Sequence, residues 1–289
     1  MADERVAADA CVSGEPSADA SLVSAPSGAR KTAGTSETSG GTRMPLLFVG
    51  HGSPMNAIER NRYSEGWVRM GKRLAGLPRR PRAILAVSAH WMTDGFKVRT
   101  APKNKQVNDM YGFPQALYDV HYEPLGDPVL ARRVMELAGG SVAPDNSWGI
   151  DHGVWTPLVR MFPQADVPVV MLSVAPRLSP RAHFELGRAL RPLRDDGVLV
   201  VASGNVVHSF QFASPREDAA LPWAQRFDAR VRDAVTTGDW DTPCDLRALG
   251  PDARKAFQTP EHYLPLPAAL GFAWEGERAE VWNEGCTMG

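Results

Sequence analysis

Seven histidines stand out in a chain whose three cysteines, Cys11, Cys244 and Cys286, are too scattered for a C-x-x-C site or a disulfide framework. Three of the histidines follow short apolar runs: His51 in LFVGHGSP, His90 in ILAVSAHW and His208 in VVASGNVVHSF. His51 lies between Gly50 and Gly52, where backbone and ligand can come close, and Pro54 stiffens the loop behind it. Taken alone, Gly-His-Gly reads more readily as turn chemistry. Three histidines at the ends of three apolar runs read differently, because ligand sites in open α/β sheets form outside the carboxyl ends of the strands. His262 in TPEHYLP has another frame: Thr259 reads as an N-cap and Pro260 as the first helical residue, placing the imidazole in the first turn of a helix.

A cluster of neutral imidazoles, with Asp151 or Glu261 beside it, suits Zn(II), Fe(II), Cu or Ni rather than a thiolate site. Zinc hydrolases and non-haem iron oxygenases are both open on this evidence, since no H-E-x-x-H is present and each ligand comes from a different segment. Other chemistries lack their motifs. There is no G-x-S-x-G nucleophile elbow, no G-x-x-x-x-G-K-[ST] and no G-x-G-x-x-G after a strand.

The elements that must position these residues alternate. MPLLFVG (44–50), RAILAVSA (82–89), VPVVMLSV (167–174) and VLVVASG (198–204) are short continuous apolar runs, as in strands buried on both faces of a parallel sheet. Residues 58–77, 127–140, 153–162 and 179–196 carry helical spacing between them. The pattern predicts one α/β domain over residues 44–289, with a mostly parallel central sheet flanked by helices. Residues 211–260 are weaker in pattern and read as an insertion or a helical lobe.

Residues 1–43 are dominated by Ala, Ser, Gly, Thr and charge, so they cannot bury enough apolar surface to offset ordering entropy and are expected to be a disordered tail. MADERVAADACVSGEPS lacks the basic start and apolar core of a secretory signal. No apolar run reaches the length of a membrane span. A net charge of -1 gives no footprint for nucleic acid or an anionic membrane. A cytoplasmic, reducing setting is expected.

GHGSPMNAIE, ILAVSAHWMT, YGFPQALYDVHYEP, WGIDHGVWTPL, VVASGNVVHSF and TPEHYLPL together resemble, in order, the motifs of the class III extradiol ring-cleavage dioxygenases, in particular the 4,5-DOPA dioxygenase extradiol group. The resemblance runs over nearly all of residues 44–289. It implies a mononuclear non-haem Fe(II) site that also accepts Zn(II), a catecholic substrate, and O2 as co-substrate. Carried over by position, it makes His51, His90 and His262 metal ligands, and His208 either a fourth ligand or the acid/base beside the metal. It places His152, in the DHG block, behind a ligand or against substrate. Relatives of the protocatechuate type use two histidines and a glutamate, whereas this chain offers His262 with Glu261 beside it, so the metal is less fixed than its ligands. The competing readings are a zinc-dependent hydrolase and a non-catalytic binding protein, since the implied fold is also similar to that of Memo-type proteins.

Two histidines and one aspartate have alternative roles. His183, in SPRAHFELGRAL, reads as a helix-packing or surface residue. His121 lies among Tyr111, Phe113, Tyr118 and Tyr122, which suit either an aromatic-substrate pocket or the core. Asp151 reads as an orienter of an imidazole or as the cap of a helix beginning at Gly153.

Overall fold

The computed structural model describes residues 22–25, 43–214 and 220–287. Its strands are β1 (Leu22–Ala25), β2 (Leu46–Gly50), β3 (Ala83–Met92), β4 (Phe96–Val98), β5 (Val142–Pro144), β6 (Val169–Val174), β7 (Val198–Gly204) and β8 (Arg278–Glu280). They form one sheet in the order β5-β4-β6-β3-β7-β2-β1-β8. The helices are α1 (Arg62–Ala75), α2 (Gln115–Tyr118), α3 (Pro128–Leu137), α4 (His152–Met161), α5 (Pro180–Leu190), α6 (Pro222–Thr237), α7 (Asp241–Cys244), α8 (Ala253–Ala256) and α9 (Pro265–Phe272).

The four central strands, β6-β3-β7-β2, are all parallel and coincide with the four apolar runs of the sequence. They are apolar throughout because both faces are covered. Leu47, Val49, Ile84, Ala86, Leu199 and Val201 pack with Trp67 and Leu74 of α1 and Val154 and Leu158 of α4. The alternate residues Leu46, Phe48, Leu85, Val87, Val200 and Ala202 pack on the other face with α5, α6 and α9. Each Val, Leu or Ile so buried contributes roughly 1.5–3 kcal/mol relative to exposure, which fixes the strands and therefore their ends.

Register brings those ends together. Gly50 pairs with Gly204 and Ser88 with Ser203, so the chain leaves β2, β3 and β7 within a few ångströms of one point. Pairing of β3 with β6 becomes irregular between Ser88 and Met92, and the His90 N–H there donates to the Ser88 hydroxyl (3.1 Å). Irregularities of this kind re-aim side chains.

Three details differ from the sequence reading, and a fourth settles an alternative it left open. The strands β4, β5 and β8 have three residues each and no apolar run to announce them. Residues 211–260 hold α6, α7 and α8 joined by turns, in keeping with the helical-lobe alternative. The helix after His262 begins at Pro265, not Pro260: Pro265 has no N–H to donate to the Glu261 carbonyl and fits only a first helical position, leaving His262 in the preceding turn. Within the segment expected to be disordered, Leu22–Ala25 is a strand antiparallel to β2 and β8. The rest of that segment, apart from Arg43, lies outside the described residues. No helix is long and apolar enough to cross a membrane among the described residues.

Helix α9, which follows His262, is seated by glycines: a Cβ on Gly271 would stand 2.0 Å from the Phe184 carbonyl oxygen and 2.8 Å from the Arg188 nitrogen in α5. Gly271→Ala is therefore expected to lower the unfolding free energy by about 3 kcal/mol, the upper part of the range for overpacked cores. Urea denaturation checks this. A loss below about 1 kcal/mol would mean that α9 moves aside freely.

Candidate metal centre

His51, His90 and His262 present ring nitrogens that lie within 4.8 Å of one another. His51 and His262 are buried, and His90 is nearly so. Each ring is anchored by its Nδ1 side. His51 Nδ1 donates to the Ser203 hydroxyl (2.9 Å), whose own proton goes to the Gly153 carbonyl. The Gly52 N–H donates to Asn205 Oδ1 (3.3 Å), which turns the Asn205 amide NH2 toward His51 Nε2 (3.1 Å). Both contacts select the Nδ1–H tautomer. His262 Nδ1 donates to Glu261 Oε1 (3.1 Å). Asp109 Oδ2 stands 2.8 Å from His90 Nδ1, off the line of a hydrogen bond but close enough to favour a proton on that nitrogen. Asp151 Oδ1 is 3.7 Å from the same nitrogen.

The Nε2 atoms of His90 and His262 stand 3.1 Å apart, and with both rings protonated on Nδ1 they would aim lone pairs at each other. Two lone pairs at that distance repel, and a cation between them removes the repulsion. Two nitrogens each about 2.1 Å from one Zn(II)-like ion stand about 3.0–3.4 Å apart, so the spacing fits a shared metal.

Electrostatics favours the same occupant. Burial, followed by the neighbouring histidines, lowers the pKa of His51, and burial likewise lowers that of His262. Burial also lowers that of His90, but Asp109, Asp151 and Glu261 together outweigh it and raise the net value. Burial opposes ionisation of Asp109 and Glu261 as well. The hydrogen bond from His152 and the contact with His90 hold Asp109 well below the usual carboxylate range, while His262 and Thr259 bring Glu261 to about 2. Ionised carboxylates behind neutral imidazoles create a negative recess for a divalent cation.

The other predicted residues are distributed around this point. His208 stacks its ring on His262 (3.5 Å between centroids, 7° between planes), shares with Glu261 and His262 a second group that could hold a metal, and has its pKa pushed down by burial to about 4. His152 opens α4, with its ring 4.3 Å from that of His90 and its Nδ1 2.9 Å from Asp109 Oδ1. Asp151 is the N-cap residue of α4, which starts at His152, one residue before the expected Gly153, and its carboxylate makes no cap bond. Instead it accepts from Ser88 Oγ (2.7 and 2.8 Å) and Trp148 Nε1 (2.9 Å), and burial raises its pKa. His121 is exposed, and Tyr122 is core.

Asp109, Ser203 and Asn205 are the residues that sequence reading did not single out as site members. Asp109 sits on a loop with neither period nor motif. Its only signal is position, two residues ahead of the aromatic stretch that begins at Tyr111.

A histidine cluster at the carboxyl edge of a parallel sheet defines a metal-type α/β centre. The comparisons define it further. Residues 44–288 match the family described as the catalytic LigB subunit of aromatic ring-opening dioxygenase. A 4,5-DOPA dioxygenase extradiol of Escherichia coli (strain K12) is 44% identical over 257 residues, covering 86% of this chain and 92% of that protein. The protein of the same name from Beta vulgaris is 38% identical, covering 83% and 92%. The crystal structure of an uncharacterized protein, JW3007, from Escherichia coli K12 aligns with a TM-score of 0.68 at 38% identity, over 85% of this chain and 98% of that one. The chain belongs to the aromatic ring-opening dioxygenase family, a metal-dependent family of enzymes.

His183 lies apart from the centre and is a packing residue. It is buried in α5, accepts from the Ala175 N–H through Nε2 (3.1 Å) and donates from Nδ1 to the Ser179 carbonyl (2.9 Å). Burial lowers its pKa to about 4, against the opposing Ser179 bond. Because the folded value lies below the unfolded one, its contribution to stability is full above about pH 6.5 and is lost as pH falls toward 4. That loss amounts to about 3 kcal/mol. His183→Gln should flatten the pH dependence of the urea-unfolding free energy across this window by about one proton's worth, and an unchanged slope would show that the ring is not held neutral.

Proposed function

We propose that the chain catalyses O2-dependent extradiol cleavage of a catechol, opening the ring beside its two hydroxyls to a semialdehyde that retains both oxygen atoms. The observation that carries this reading is the convergence of three imidazoles, with the Nε2 atoms of His90 and His262 3.1 Å apart and His51 beside them. His51, His90 and His262 hold Fe(II), and the same nitrogens accept Zn(II). Bound Fe(II) would supply a centre at which a catecholate and O2 exchange electrons without an external donor. The names of the relatives favour a DOPA-like catechol. Cys244 and Cys286 are free thiols, which favours the cytoplasm.

The chain's own groups handle protons. His208 lies over the face of His262 outside the ligand cluster, and burial keeps it neutral at physiological pH. In that form it can take a proton from a catechol hydroxyl and return it later in the reaction. His152, with Nδ1 committed to Asp109, has only Nε2 to offer a substrate. Loss of such a general acid/base group typically costs about 10²- to 10⁴-fold in rate.

Anaerobic loading with Fe(II), followed by a panel of catechols and then O2, tests the activity. A yellow semialdehyde should appear only after O2 is admitted. Ester or amide hydrolysis continuing without O2, with no ring opening, would replace this reading with that of a hydrolase. Single replacements separate the roles. His51→Ala and His90→Ala should lose stoichiometric metal by elemental analysis. His208→Gln should keep its metal through dialysis while ring opening slows by about 10²-fold or more. Loss of metal from His208→Gln would move His208 into the ligand set.

A further inference from the structure

We propose that Asp109 is a positioning residue that sets the protonated nitrogen of two imidazoles at once, turning His90 Nε2 to the metal and His152 Nε2 to the substrate. The inference rests on the reading of His90 as a ligand and His152 as substrate-facing, and adds the group that makes both possible.

The two carboxylate oxygens are divided between the rings. Oδ2 is 2.8 Å from His90 Nδ1, and Oδ1 is 2.9 Å from His152 Nδ1. At these distances an N–H is attracted to the carboxylate and a lone pair is repelled, so both rings carry their proton on Nδ1. Oδ1 also accepts the backbone N–H of His152 (3.0 Å) at the first position of α4, which fixes the carboxylate against the helix start. Asp151, the sequence neighbour of His152, cannot do this work. Its oxygens are taken by Ser88 and Trp148, and it approaches His90 no closer than 3.7 Å.

The loop carrying Asp109 is held for the purpose. Val107 N–H donates to the Ile150 carbonyl (2.8 Å) and Ile150 N–H to the Lys105 carbonyl (2.9 Å), a close approach in which a Cβ on Gly149 would stand 2.2 Å from the Lys105 oxygen. The buried Arg99 guanidinium donates to the carbonyls of Lys103, Asn146 and Trp148, clamping the 103–109 and 146–151 segments together.

The arrangement makes an asymmetric prediction. In Asp109→Asn the amide oxygen stays with His152, where it has two N–H groups to accept. The amide NH2 then faces His90 Nδ1 and drives the His90 proton to Nε2. Competition between the protein and a chelator for Zn(II) should show a 10- to 100-fold loss of affinity, whereas the tautomer of His152 should stay that of wild type. Asp109→Ala releases both rings and should lose metal affinity and also slow turnover at saturating metal by about 10²-fold. Nitrogen-15 NMR of the Zn(II)-loaded, histidine-labelled protein reads the tautomer directly, with His152→Gln assigning the signal. His152 should be Nδ1-protonated in wild type and in Asp109→Asn. A wild-type His152 protonated on Nε2 overturns the proposal whether or not either variant folds, as does unchanged Zn(II) affinity in Asp109→Asn. A purely structural role would lower the melting temperature and move neither readout. Chelator competition and NMR need no substrate. If they come out as expected while no catechol is cleaved by wild type, the proposed activity fails and the role of Asp109 stands.

Discussion

A neutral imidazole has one nitrogen with a proton and one with a lone pair, and a metal can use only the second. The centre depends on that choice being made in advance for several rings, and the surrounding residues make it. At His51 the choice traces back to a proline. Pro157, inside α4, has no N–H to give the Gly153 carbonyl four residues earlier. That carbonyl is left to accept the Ser203 hydroxyl proton, so the Ser203 oxygen can only accept from His51. At His262 and His90 the choice falls to Glu261 and Asp109.

The same requirement explains why so much of the scaffold near the site is backbone against backbone. Gly204 ends β7 where a Cβ would lie 2.2 Å from the His262 carbonyl oxygen, and that carbonyl accepts the Asn205 N–H (2.8 Å). The turn bearing His262 is thus docked directly on the strand end beside His51. Gly52, at φ +55°, adopts a conformation that favours glycine and brings its N–H to the Asn205 side chain. A site built from such contacts holds its rings in place before a metal arrives, and binding through His51 Nε2 would require the Asn205 amide to turn away from it.

What was legible in the sequence follows the same physics. The four central strands could be read because burial on both faces writes an unbroken apolar run, and His51, His90 and His208 could be placed because they follow those runs. The short edge strands have no comparable burial to record. The start of α9 lies at Pro265 because a helix begun at Pro260 would run into a residue with no N–H for the Glu261 carbonyl, a constraint that the Thr259–Pro260 pair alone does not reveal. Asp109 left no trace because its role is set across 43 residues of chain, by a hydrogen bond to His152. Local spacing carries no information about such a partnership, whereas His262 and Glu261, adjacent in the chain, were visible together.

The charge arrangement gives the missing carboxylate ligand a physical substitute. In a two-histidine, one-carboxylate site the negative charge lies on the metal itself. On the proposed ligand set His262 takes the third position, and the carboxylates stand one ring further out, Glu261 behind His262 and Asp109 beside His90. A carboxylate on Nδ1 makes the opposite nitrogen a stronger donor, so part of the lost charge reaches the metal through the imidazoles. Because that charge is spread over two rings instead of fixed on one oxygen, the site retains the neutral nitrogen donors that Zn(II) and Fe(II) both accept. On that reading, part of the electron density needed for oxygen chemistry would come from carboxylates behind the imidazoles. Asp109 is the one of these that also reaches His152, so in the proposed mechanism the same carboxylate would link the donor strength of the centre to the proton chemistry beside it.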